Sequence, residues 1–222
     1  MSVNSVGALR SERATMKEVI LCLALVIELV RPQVLSAQGT LYLSSLGSAS
    51  TTNTIVANDS WRAADFRTGT NSLGYTLNSI QLLMAPASGN PSGFSVMLYG
   101  SGSVPGSYLA TLNGPDPSAG GVFTYAASSL TLAPATYYYV VVTSGTSVST
   151  GAYKWNITNV GPTVSDGWRP GGFFGSSDGT SWIPSRPNPF QFAVEATAIP
   201  EPSISAMIAL GLAVLSFWRC RK

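Results

Sequence analysis

The chain has no histidine among its 222 residues and only two cysteines, Cys22 and Cys220. Imidazole is the commonest general base and the commonest metal ligand, so a Ser-His-Asp triad and a histidine metal centre are both excluded. Both cysteines lie near the chain ends. Residues 38–198 between them hold no thiol, and so offer no disulfide, no thiolate-bound metal and no cysteine nucleophile. Charge is equally scarce there, with six acids (Asp59, Asp65, Asp116, Asp166, Asp178, Glu195) against five bases (Arg62, Arg67, Lys154, Arg169, Arg186), a net of −1. The whole-chain value of +2 therefore comes from the termini, and nothing in the central region is basic enough to follow a phosphate backbone; no nucleic-acid partner is expected. No serine sits in a Gly-x-Ser-x-Gly elbow. Asp59 and Asp65, the closest acids, would stand about 20 Å apart along a strand, too far for a carboxylate pair. The acids read as turn formers and surface charges, and no enzyme, cofactor or metal is expected.

The termini are richer. Val19 to Val30 is a twelve-residue apolar run broken by Glu28, followed by Ser36 and Ala37 before Gln38. That order is the layout of a secretory signal peptide over residues 1–37, too short to span a membrane, with cleavage expected after Ala37. Met16-Lys17 would open a more compact leader, leaving residues 1–15 as an extension. At the other end, Ile199-Pro200-Glu201-Pro202-Ser203 precedes an apolar run from Ile204 to Trp218 and a basic end, Arg219-Cys220-Arg221-Lys222. Two prolines force an extended approach. The fifteen residues 204–218 would span roughly 22 Å as a helix, short of a roughly 30 Å hydrocarbon core. Trp218 suits the headgroup level and the basic cluster the cytoplasmic side.

Tripeptide, apolar helix and basic end, in that order over residues 199–222, closely resemble the PEP-CTERM sorting signal of bacterial surface proteins, with Pro200, Glu201 and Pro202 matching its tripeptide. The resemblance implies a short transmembrane helix, a transient membrane stage and removal of the tail by a membrane protease of the exosortase type.

Trimming both ends leaves about 165 residues, one domain's worth. Tyr75 to Leu82 alternates and reads as a strand stopped by Pro86. Phe94 to Tyr99 and Phe190 to Glu195 alternate as well, and Tyr137 to Thr143 is apolar almost throughout, as a central strand would be. Clusters at 88–93, 102–106, 113–117 and 177–180 read as turns; Asp178-Gly179 is a hairpin turn rather than a calcium ligand. Without an amphipathic helix in 38–198, the expected fold is all-β: an antiparallel β-sandwich, jelly-roll-like, of about eight to ten short strands. Arg62 and Arg67 read as solvent-facing residues alternating with buried Trp61 and Phe66.

Leu41-Tyr42-Leu43-Ser44, Asp59-Ser60-Trp61, Phe66, Thr68-Gly69, Tyr75-Thr76-Leu77, Ser79-Ile80, Phe94, Leu98-Tyr99, Pro105-Gly106, Leu132, Pro134, Thr136-Tyr137-Tyr138, Tyr153 and Trp155 resemble the exported β-sandwich domains named choice-of-anchor R. This resemblance covers residues 38–197 and implies no catalytic residue.

Two functions fit. One is a non-catalytic exported protein of the cell surface or extracellular matrix, sorted through its tail. The alternative is a carbohydrate-binding module for envelope or exported polysaccharide, with Trp155, Trp168 and Trp182 as its stacking rings; Trp168 to Phe174 reads as a loop that could carry such rings. Exposure of Trp168 and Trp182 separates the two, since a platform needs rings in solvent and a core plug needs them buried.

Overall fold

Alternating apolar positions and Gly/Pro/Asn turns lay down thirteen strands and no helix among the described residues, which in this computed structural model are 39–100, 102–185 and 188–201. Seven strands make one sheet: β1 (Thr40–Ser44), β2 (Thr52–Val56), β4 (Tyr75–Gly89), β7 (Gly121–Leu132), β9 (Gly151–Ile157), β10 (Thr163–Val164) and β13 (Phe192–Ala198). Six make the other: β3 (Trp61–Arg67), β5 (Ser95–Tyr99), β6 (Tyr108–Leu112), β8 (Tyr137–Thr143), β11 (Arg169–Ser176) and β12 (Ile183–Pro184). Pairing is antiparallel throughout, in a sandwich-like arrangement. The thirteen described strands outnumber the eight to ten expected; two of them, the two-residue β10 and β12, extend the sheets and carry no sequence signal of their own. The N-terminal apolar run and the segment 204–218 lie outside the described residues. Among those described, no helix is long and apolar enough to cross a membrane.

In the seven-stranded sheet the order runs β10-β1-β13-β4-β9-β2. Leu82 of β4 pairs with Phe192 and with Phe123, and Met84 pairs with Trp155 and with Gly121. A residue has only two flanks in a sheet, so β7 occupies one side of β4 while β13 and then β9 share the other. Gln191 is buried where they part. Its Nε2 donates to the carbonyls of Ser45 and Ser48, its Oε1 accepts from Ser50 Oγ, and its backbone carbonyl accepts from Trp155 Nε1. Such satisfaction is what lets a buried amide stay in a core.

β4 runs through Pro86 to Gly89, three residues beyond the stop read from the sequence. The register with β9 shifts between Ala85 and Ser88, and at such a bulge proline's missing N–H costs no ladder bond.

The six-stranded sheet, ordered β12-β11-β3-β8-β5-β6, places β8 between β3 and β5, where its apolar run predicts. All of β8 but Tyr137 is buried. Val140 and Val142 face the inter-sheet core with Phe66, Leu77, Ile80, Trp155 and Val194. Tyr139 and Val141 join a second cluster with Ala63, Met97 and Phe174, against which Trp61, Tyr99, Val104 and Trp182 pack. Neighbours in a strand point to opposite faces, so this smaller cluster covers the outer side of the six-stranded sheet.

Candidate functional site

β13 ends at Ala198, paired with Tyr75 of β4, and the chain passes directly into the tripeptide. A turn at Asn71–Gly74 meets it there. Gly74 has φ +81, and a Cβ on it would lie 2.3 Å from the Leu132 carbonyl oxygen, so only glycine fits. Asn71 closes the turn through Nδ2 to the Gly74 carbonyl (2.5 Å), and the Gly74 N–H donates to the Asn71 carbonyl (2.9 Å). This turn then binds the departing chain. Ile199 N–H donates to the Gly74 carbonyl at 3.0 Å, Asn71 Nδ2 donates to the Ile199 carbonyl at 3.0 Å, and Ser72 Oγ donates to Glu201 Oε1 at 2.6 Å. Pro200 and Glu201 are exposed; Pro202 lies outside the described residues. The tripeptide was legible from sequence, but the Asn71–Ser72 contact was not, since nothing local marks a turn 128 residues upstream as its partner.

The three tryptophans are not brought together as a platform. Trp155 is 0% exposed and Trp168 is 1% exposed. The Trp168 ring stacks between Tyr42 (4.8 Å, 10°) and Phe66 (5.6 Å, 14°) and stands edge-on to Tyr75. Trp155 packs on Phe190 and Phe192. Rings enclosed in this way cannot stack on a sugar, which corrects the expectation for Trp155 and Trp168. The loop read from Trp168 to Phe174 is corrected too: from Arg169 it is strand β11 (Arg169–Ser176). Trp182 is half-buried against the outer cluster, remote in role from the other two.

Asp65 on β3 is buried, and its Oδ1 has no hydrogen-bond partner among the described residues. The Gly171–Gly172 backbone lies over it so closely that a Cβ on Gly171 would fall 1.9 Å from Oδ1, and the β11 register shifts there. Burial pushes the carboxyl up to about 6, against the opposing pull of the Gly172 and Asp65 backbone N–H groups. A folded-state value above the unfolded one favours the fold at acid pH: this stabilisation is complete below about 4 and is lost as pH rises through about 6. A carboxyl held at about 6 rather than 3.8 corresponds to up to about 3 kcal/mol. Asp65→Asn should therefore raise stability at pH 7, and the gap to wild type should shrink as pH falls to 4. Urea midpoints at a series of pH values measure this; a gap constant with pH would mean that the carboxyl is solvated.

Arg62 is half-buried rather than solvent-facing. Its Nε donates to Thr54 Oγ1 (2.7 Å) and Nη1 to the Trp61 carbonyl (3.0 Å), so it bridges the two sheets, and burial lowers its pKa. Beside it opens a cleft of about 340 Å³ lined by Ser176, Ser177, Ser181, Ile183 and Pro184. Asp178 Oδ1 accepts from Ser176 Oγ and from the N–H groups of Thr180 and Ser181, which holds its carboxyl well below the usual range and fixes the expected turn. A guanidinium and hydroxyls can bind polar groups, and the Asp178 carboxylate beside Ser176 is already engaged in closing the turn. Among the described residues no three acidic, histidine or cysteine side chains gather as a metal site.

The junction at Ala198 coincides with a family boundary. Residues 198–222 match the PEP-CTERM protein-sorting motif. The sorting motif thus begins at the last residue of β13, and it implies export and processing by an exosortase, a membrane protease. No curated protein and no solved structure matches the chain.

Proposed function

We propose that this is a non-catalytic protein of the bacterial cell surface or extracellular matrix, exported by a signal peptide over residues 1–37 and released from a transient inner-membrane stage by exosortase cleavage of its tail. The observation that carries this reading is the sorting motif at 198–222, abutting a folded domain with no linker. The sandwich is then the cargo, of choice-of-anchor R type. Its jelly-roll-like winding is supported by the pairing of its first and last strands, β1 and β13. A non-catalytic role is supported by a sequence without histidine and by the placement of Asp65 beneath the β11 backbone. A second reading, polysaccharide binding, rests on the Arg62 cleft, whose guanidinium and serine hydroxyls suit a polyhydroxylated ligand.

The surface form should lack residues 204–222, including the apolar segment and Lys222. Pro200→Ala and Glu201→Ala should each leave an uncleaved, membrane-retained species. Intact-mass analysis of the surface fraction tests this, and finding Lys222 on the wild-type surface protein would sink the idea.

A further inference from the structure

We propose that the Asn71–Gly74 turn latches the start of the sorting motif, Ile199 to Glu201, onto the folded domain, so that Asn71 and Ser72 are positioning residues that set how fast the tail is processed. The inference rests on the sorting reading above and concerns the step that precedes cleavage. β13 lies between β1 and β4, and its last two residues, Thr197 and Ala198, stay paired with Thr76 and Tyr75 of β4 right up to the motif. Ile199 adds one more rung, since its N–H and its carbonyl are both taken by the turn. Pro200 then allows one φ only. Glu201 is the single charged residue between Glu195 and Arg219, and its carboxylate is the acceptor of the Ser72 hydroxyl.

A protease that takes an extended substrate strand does so through free backbone donors and acceptors and through pockets for individual side chains. Here the backbone groups of Ile199 and the only anionic side chain of the motif are already engaged. The latched form must open before the motif can be read, so apparent affinity is the intrinsic affinity multiplied by the unlatched fraction. Ser72 is exposed, so the latch opens without unfolding the domain. The bond is charge-assisted, which favours the closed state without locking it.

The test is a pulse-chase of the full-length chain in an exosortase-bearing bacterium, reading the half-life of the tailed precursor for wild type, Ser72→Ala, Ser72→Thr and Glu201→Ala. Ser72→Ala should shorten the half-life roughly fivefold, as loss of one hydrogen bond to a charged group at the surface would. Ser72→Thr keeps a hydroxyl and should restore it. Thermal unfolding should be the same in all three Ser72 forms, which separates the latch from a general effect on folding. A precursor half-life in Ser72→Ala equal to or longer than wild type overturns the latch. The sorting reading would survive that result if Glu201→Ala still blocks cleavage. A wild-type chain that keeps its tail overturns both.

Discussion

Val141→Asp should prevent the 38–201 unit from folding. Val141 is 0% exposed, in the strand at the centre of the six-stranded sheet, with Ala63 and Met97 opposite it on the neighbouring strands. A carboxylate there meets no basic partner, and Asp65 already occupies the same face of β3. Burying an unpaired charge costs several kcal/mol, a large part of a domain's roughly 5–15 kcal/mol margin. Far-UV circular dichroism and thermal melting of the purified unit would register the loss. An unchanged melt would mean that the outer cluster opens to water around residue 141, contrary to the packing of Phe174 and Tyr139 about it.

Trp168→Ala should cost about 3–5 kcal/mol, the range for removing a large buried aromatic side chain. Three rings, Tyr42, Phe66 and Tyr75, lose their common neighbour, and Gly69 packs against the same indole: a Cβ there would lie 3.0 Å from Trp168 Cδ1. Little room exists for the site to collapse, because the strands that carry these rings are fixed in their sheets. Denaturant unfolding measures the effect. A loss below about 1 kcal/mol would place the ring outside the core and reopen a surface role for it.

How far the sequence spoke for itself depended on whether the signal was local. β8 was legible because the run from Tyr138 to Thr143 is buried on both faces, and the Asp178 turn because its side chain bonds the backbone of its own turn. β11 was misread for a physical reason. Pro170, Gly171 and Gly172 look like loop residues, yet the glycines are there to pass over the Asp65 carboxyl, and the strand resumes its pairing at Phe173. Trp168 was misplaced for a related one: it follows Asp166 and Gly167, both at positive φ, and the turn sends the ring inward where no periodicity could announce it. Arg62 looked like an exposed alternate because its partner, Thr54, belongs to the other sheet. The sorting tripeptide was read correctly as a motif, while its engagement by Ser72 needed the fold.

The position of β13 has a consequence for the order of events during export. The last strand of the domain is not added at an edge; it fills the gap between β1 and β4, with Ala196 opposite Thr40 of β1 on one side and Leu77 of β4 on the other. Until residues 192–198 arrive, β1 has only the two-residue β10 beside it, and one flank of β4 along Tyr75–Leu82 is bare. Contacts of such long sequence separation form late and slowly. If the signal peptide proposed above leads the chain out from its N-terminus, the sheet edges stay unpaired until residues 192–198, next to the sorting segment, have followed. Closure of the sandwich and arrival of the processing signal become a single moment, which gives the cell a check on completeness: a chain truncated before residue 192 neither closes its sheet nor carries the tail.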